Sequence, residues 1–231
     1  MNAFWIKVIA IVAMLVDHFA LLYFPQSFPL IVIGRISYPL IAWLIANGAV
    51  HTKNIDAYLM RLGIFALVAQ IPYEIGFYLS GHNRLFLNVL FTLFLGLAAL
   101  RILKLSIPEI VKWAGVAVCI ALAAILNTDF AAGGVLCIVA FYVFFDRPYA
   151  MIASQVFILM VLTKLGFFIE PGLGSSFAMH PMEHYAVLAL PLILLYNGKR
   201  GYPTGLLFYW FFVAQNVAAL LLKVYLRSIT P

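Results

Sequence analysis

Charge is scarce in this sequence. Charged residues occupy 10% of its 231 positions and hydrophobic residues 66%, whereas soluble domains are about one quarter charged and about half apolar. So few polar residues could not cover the surface of a soluble domain of this length. The composition excludes an ordinary soluble protein and predicts a chain that lies in a lipid bilayer, with membrane lipids as its surroundings.

The motifs of soluble nucleotide-binding and hydrolytic proteins are also absent. The sequence has no P-loop, no G-x-S-x-G, no zinc-finger spacing and no glycine-rich dinucleotide fingerprint. Its net charge of +6 is not gathered into a basic patch with interleaved aromatics, so we expect no nucleic-acid partner. Cys119 and Cys137 both lie in apolar stretches, which predicts small core residues and no disulfide.

Apolar runs long enough to span a bilayer fill most of the chain. A helix that crosses about 30 Å of hydrocarbon needs roughly 20 residues, which predicts about nine transmembrane helices, within a range of eight to ten. The first run is too long for a cleaved signal peptide, so we expect a retained span. Without a long linker or an internal repeat, residues 1–231 form a single all-α domain, a polytopic helical bundle. The predicted spans are residues 4–24, 28–49, 57–79, 85–104, 109–126, 130–145, 149–169, 183–197 and 203–226.

Lysine and arginine set the expected orientation, because cytoplasmic loops carry an excess of both. With the N-terminus in the cytoplasm, most of these residues fall on the cytoplasmic side of the predicted spans. Lys223 and Arg227 in the last helix are exceptions to this pattern. The distribution favours a cytoplasmic N-terminus.

The polar side chains that lie inside the predicted spans include Asp17, His18, Arg35, Gln70 and Glu74. Ionisable groups at such depths cost several kcal/mol unless they are paired or solvated, which makes them candidates for function. Asp17 and Arg35 each lie roughly 13 Å from the first loop, at 1.5 Å per residue, on adjacent antiparallel helices. We therefore expect these two residues to form an ion pair.

His18 lies about 100° around the helix from Asp17, so the two neighbours cannot easily bond each other. The imidazole is then left to face a substrate, where it can take a proton at neutral pH. At the same rise of 1.5 Å per residue, the depth below the next outer loop is roughly 13 Å for Glu74, 19 Å for Gln70 and 8 Å for Asn88. Together with Asp17 and Arg35, these residues predict a polar layer across four helices. The alternative is a buried ion-pair network that only locks the bundle.

Two further groups carry possible chemistry. His51, Lys53 and Arg61 lie at the inner ends of the second and third spans, where they could contact the phosphates of a soluble cofactor; an ordinary positively charged cytoplasmic loop is the alternative. Residues 180–184 read H-x-x-E-H, a zinc-peptidase pattern. Pro181 suits a first helical turn and would leave His180 outside the helix, and no third ligand is evident, so we expect a polar interfacial loop and no metal.

Six short segments in the first hundred residues have a distinctive order and spacing: Ile6–His18, Ile33–Pro39, His51, Arg61–Leu62, Ala69–Glu74 and Leu87–Phe91. They resemble the TraX family of pilin N-acetyltransferases, over roughly residues 4–100. Later segments are similar but less specific. The last helix departs from the family pattern, in which a tyrosine and then a histidine are frequent, because this chain has Gln215 and Asn216.

The resemblance implies transfer of acetyl from acetyl-CoA to the N-terminal amine of a pilin subunit, or another amine-bearing acceptor, at the bacterial inner membrane. It also implies kinship with transmembrane acyltransferases that use an intramembrane histidine. Such a transfer needs a base for the ammonium proton, donors for the developing oxyanion and an anchor for the CoA phosphates. The candidate residues divide accordingly: catalytic His18, Asp17 and Arg35; substrate-binding Gln70, Glu74 and Asn88; cofactor-binding His51, Lys53 and Arg61.

Two other functions fit the same features. A proton-coupled transporter would need a polar stripe through both leaflets, whereas the inner halves of the predicted spans are almost wholly apolar. A non-enzymatic membrane partner in pilus assembly would use the outer polar layer to dock another helix. Tight and specific binding of CoA would separate an enzyme from such a scaffold.

Overall fold

The computed structural model describes residues 1–24, 26–79, 86–162 and 182–229, and this part of the chain is built of helices joined by turns and loops, without a β-strand. His180 of the H-x-x-E-H pattern lies outside the described residues. A π-helical segment, Phe157–Leu162, follows α8, and a 3₁₀ segment, Glu183–Ala189, precedes α9. The α-helices are α1 (Ala3–Tyr23), α2 (Phe28–Arg35), α3 (Ser37–His51), α4 (Ile55–Tyr78), α5 (Val89–Leu103), α6 (Glu109–Ile125), α7 (Ala131–Val143), α8 (Pro148–Val156), α9 (Leu190–Leu194) and α10 (Leu207–Ile229).

The all-α prediction is confirmed, and the chain is a membrane protein. Four helical stretches in the described residues have the length and apolar composition to cross a bilayer: Ala3–Ala20, Phe28–His51, Ile55–Gly76 and Leu207–Ser228. Shorter apolar helices follow at Val89–Leu103, Ala131–Val143, Pro148–Val161 and Glu183–Leu194. The count of nine spans stays a prediction.

The second predicted span is broken in two at Ile36, between α2 and α3. Pro39 explains the break, because it lacks the N–H that would donate to the carbonyl of Arg35, and its ring clashes with that carbonyl. The long apolar run is therefore two helices with a joint at the level of Arg35. This joint places the Arg35 side chain at the end of α2.

Helices α3, α5 and α7 form the buried centre of the bundle. They pack against one another, α1 packs on α2 and α3, α4 and α6 pack on α5, and α10 packs on α4. Helices α4 and α10 expose large apolar side chains along their outer faces, including Leu67, Ile71, Leu207 and Leu221. Such continuous apolar surface suits contact with lipid.

Candidate functional site

Arg35 lies at the centre of a buried ion-pair cluster. Its Nη2 donates to Oδ1 of Asp17, and its Nη1 donates to Oε2 of Glu183 at 3.1 Å. The side chains of Arg35, Asp17 and Glu183 are 5%, 15% and 0% exposed. The predicted pair between Asp17 and Arg35 is confirmed, and Glu183 is a second partner that the sequence did not reveal. These three residues are called the Arg35 cluster below.

Helices α1 and α2 approach closely enough for this contact because Gly34 has no side chain. A β-carbon at Gly34 would collide with the Asp17 side chain. Glu183 comes from the first turn of the 3₁₀ segment, so the acidic residue of the H-x-x-E-H pattern serves an ion pair. Within the described residues, no group of three or more His, Cys, Asp or Glu side chains is arranged to hold a metal ion.

His18 bonds to the last helix. Its Nε2 lies 3.2 Å from Oδ1 of Asn216, and Nδ2 of Asn216 donates to the carbonyl of Phe212 at 2.8 Å. His18 and its neighbour Asp17 therefore bond to different helices, α10 and α2 respectively. The sequence predicted this separation from their angle on α1, but it did not identify Asn216 as the partner.

Gln70, Glu74 and Asn88 are brought together as the sequence predicted. Nε2 of Gln70 donates to Glu74 Oε2 at 2.9 Å and to the carbonyl of Phe86 at 2.8 Å. Nδ2 of Asn88 donates to Gln70 Oε1 and to the carbonyl of Ala66, both at 2.8 Å. Both NH₂ groups thus have two acceptors each, and these bonds link α4 to the start of α5, two of the four helices across which the sequence predicted a polar layer. A substrate-binding role for the three residues stays a prediction.

A separate cavity of about 640 Å³ opens near the beginning of α1. His51, Lys53 and Arg61 line it, together with Lys7 and Arg200, and none of its lining residues is an aspartate or glutamate. The salt bridges of the described residues involve none of its four Lys and Arg side chains. We call this the basic cavity. Lys7 and Arg200 were counted from sequence only as cytoplasmic charges, so their place in its wall was missed.

The segment between α9 and α10 forms one wall of the basic cavity. Gly198 and Gly205 line it with φ angles of +74° and +49°, which glycine adopts readily. The carbonyl of Lys199 accepts a hydrogen bond from the backbone N–H of Ala3 at 2.9 Å, which ties this wall to α1. Nζ of Lys7 donates to Oγ1 of Thr204 at 3.4 Å. These contacts hold Arg200 opposite the residues at the end of α3.

The basic cavity extends toward His18. Its deep end is lined by Met14 on α1 and Phe212 on α10. Each of these residues is one helical turn, roughly 6 Å along the axis, from His18 and Asn216 respectively. The cavity therefore runs from a cationic end, past apolar side chains, to the neighbourhood of the imidazole.

The model of the family described as "TraX protein" matches residues 3–223. The chain belongs to the TraX family. The match confirms the resemblance seen in the first hundred residues and extends it into α10. The chain is also 42% identical over 120 residues to the "Probable fimbrial assembly protein FimC, serogroup H1" of Dichelobacter nodosus, a match that covers 46% of this TraX chain and 49% of that relative. The chain thus spans about half the length of the curated relative it matches. No solved structure matches it.

Proposed function

We propose that this TraX protein is a membrane-embedded N-acetyltransferase that moves acetyl from acetyl-CoA to the N-terminal amine of a pilin subunit, at the bacterial inner membrane with its N-terminus in the cytoplasm. The observation that carries the proposal is the basic cavity, which is lined by four Lys and Arg side chains and no carboxylate, and whose deep end is one turn from His18. The FimC relative is described as a probable fimbrial assembly protein, which supports an acceptor related to pili.

Acetyl-CoA fits the order of groups along the basic cavity. Its phosphates would lie among Lys7, His51, Lys53, Arg61 and Arg200, where nothing in the cavity wall neutralises the cations. Its pantetheine arm would pass the apolar side chains of Leu44 and Met14 toward His18. A volume of about 640 Å³ is within the range of pockets that enclose small ligands.

His18 is the proposed general base. The acceptor arrives as an ammonium group, and His18 takes one of its protons so that the nitrogen lone pair can attack the thioester carbonyl carbon. The new C–N bond forms, the C–S bond breaks, and the departing thiolate takes up the second proton that the nitrogen loses. The products are the acetylated amine and CoA thiol, and the proton on His18 passes to water.

The developing oxyanion needs a donor. Among the candidate residues that carry side-chain donors, Gln70 and Asn88 already have two acceptors each. Arg35 differs, because its buried Nε has no hydrogen-bond partner among the described residues and its charge lies within electrostatic range of His18. Arg35 is the proposed hydrogen-bond donor to the oxyanion through Nε, held in place by Asp17 and Glu183.

The test is acetylation of a pilin N-terminal peptide by the purified protein, followed by intact mass. The wild-type protein should add one acetyl group, and a peptide with a blocked N-terminus should gain none. His18→Ala should lower the rate on the order of 10²- to 10⁴-fold, as expected for loss of a general base, with CoA affinity near normal. If the His18→Ala variant acetylates the peptide at the wild-type rate, His18 is not the base.

Two other functions are possible. A non-enzymatic assembly partner, which the description of FimC as a fimbrial assembly protein favours, would leave the peptide mass unchanged in the wild-type reaction. A proton-coupled transporter needs a continuous polar path, and the apolar side chains of Met14, Leu93 and Phe212 around the deep end of the basic cavity argue against one.

A further inference from the structure

We infer that Asn216 is a positioning residue that holds the proton of the neutral His18 imidazole on Nε2 and leaves Nδ1 as the basic atom. The expected effect of Asn216 on the reaction rate rests on the proposed function, because a free Nδ1 matters to the rate only if His18 is the base. The placement of the proton is a property of the hydrogen bonds and can be measured by itself.

The orientation of the Asn216 side chain follows from its second hydrogen bond. One end of the carboxamide faces the carbonyl of Phe212 at 2.8 Å, and a carbonyl oxygen can only accept. That end must therefore be the NH₂ group, and the opposite end, which faces His18, must be Oδ1. If the carboxamide were rotated by 180°, its oxygen would face the carbonyl oxygen of Phe212, and neither atom can donate a hydrogen bond.

The tautomer of His18 follows from the orientation of Asn216. Oδ1 of an amide accepts and cannot donate, so the 3.2 Å contact with Nε2 is a hydrogen bond only if Nε2 carries the proton. A neutral imidazole has one N–H, so Nδ1 then carries the lone pair. Nδ1 has no hydrogen-bond partner in the part of the chain that the structure describes. It is the atom that is free to receive a proton.

The contact joins the first helix to the last and is shielded from solvent. Asn216 is 4% exposed, and a buried acceptor without a donor is costly, which favours the tautomer that satisfies Oδ1. Its neighbour Gln215 is also buried, at 6% exposed, yet neither of its side-chain polar atoms has a hydrogen-bond partner among the described residues. Gln215 is thus a matched control: the same helix, nearly the same burial, an amide, and no bond to His18.

The direct test is ¹⁵N NMR of the histidine side chains in the full chain, at a pH where His18 is neutral. The chain has five histidines, so the His18 signals are assigned by their loss in His18→Asn. In the wild type, Nε2 should give a protonated signal and Nδ1 an unprotonated one. Asn216→Leu should show a population with the proton on Nδ1, whereas Gln215→Leu should match the wild type. A wild-type protein with the proton on Nδ1, or an Asn216→Leu spectrum identical to the wild type, overturns the inference.

The kinetic test uses the same variants. Asn216→Leu should lower kcat for acetyl transfer on the order of tenfold, because the base is no longer held in one tautomer and orientation, with the KM for acetyl-CoA unchanged. Gln215→Leu should retain the wild-type rate. If a wild-type protein with the expected tautomer transfers no acetyl, the proposed function fails and the inference about Asn216 stands. If transfer is normal in Asn216→Leu, the positioning role is overturned and the proposed function stands.

Discussion

The two charged regions of the molecule hold their cations in opposite ways. In the Arg35 cluster, one guanidinium is bonded to two carboxylates and all three side chains are largely buried. In the basic cavity, four Lys and Arg side chains face one open volume and no carboxylate lines it. A buried charge needs a partner. The Arg35 guanidinium has two, so the cluster suits a role in holding these helices together and in orienting Arg35. Unpaired cations around a cavity instead suit an anionic ligand that arrives from outside.

The largest expected effect lies in the Arg35 cluster. Arg35→Met leaves two buried carboxylates without their cation and should lower the free energy of unfolding by about 3 to 5 kcal/mol. Asp17→Asn should cost less, because Glu183 still compensates the guanidinium. The measurement is a double-mutant cycle on thermal unfolding in detergent, with Asp17→Asn, Arg35→Met and the combination.

The combined variant decides whether the residues interact. Replacement of both Asp17 and Arg35 should lower the free energy of unfolding less than Arg35→Met alone, since only Glu183 is then left without a cation. Addition of Glu183→Gln to this double variant should recover more stability. If the losses from Asp17→Asn and Arg35→Met simply add, the two side chains do not interact. In that case Glu183 would be the partner that compensates Arg35.

Distance along the helices explains why the Asp17–Arg35 pair was predictable. Both residues are counted from one short loop, so equal separation from it gives equal depth. The group of Gln70, Glu74 and Asn88 was predictable for the same reason, and His51, Lys53 and Arg61 were placed at one end of the bundle.

The partners that the sequence missed are distant along the chain. Glu183 is 148 residues from Arg35, and Asn216 is 198 residues from His18. A count of residues gives depth in the bundle but not which helices are neighbours, so α10 could not be placed beside α1. Arg200 was missed for the same reason. The break at Ile36 did have a local signal in Pro39, but the long apolar run concealed it.

An intermediate effect is expected for ligand affinity in the basic cavity. Arg200→Ala or Lys53→Ala should weaken CoA binding on the order of tenfold, about 1.4 kcal/mol, and should affect kcat at saturation much less. The effect on affinity should shrink as the salt concentration is raised, because added ions screen the attraction between the cations and the CoA phosphates.

Binding is measured by calorimetry at two salt concentrations. The control is Lys112→Ala, since Lys112 pairs with Glu109 and does not line the cavity. Equal losses from the control would show that the cavity is not the site.

The smallest expected effect is on stability in the basic cavity without ligand. Lys53→Ala or Arg200→Ala should change the free energy of unfolding by no more than about 0.5 kcal/mol, because neither cation has a carboxylate partner among the described residues and its removal relieves repulsion from the others.

A difference in stability between the wild type and these variants should appear only when CoA is added. At 100 times its Kd, CoA should stabilise the wild type by about 2.7 kcal/mol, and the same concentration should stabilise either variant less. Thermal unfolding with and without CoA measures both quantities. A large loss of stability in the ligand-free variants would mean that these cations hold the fold together, as Arg35 does, and the contrast between the two regions would be lost.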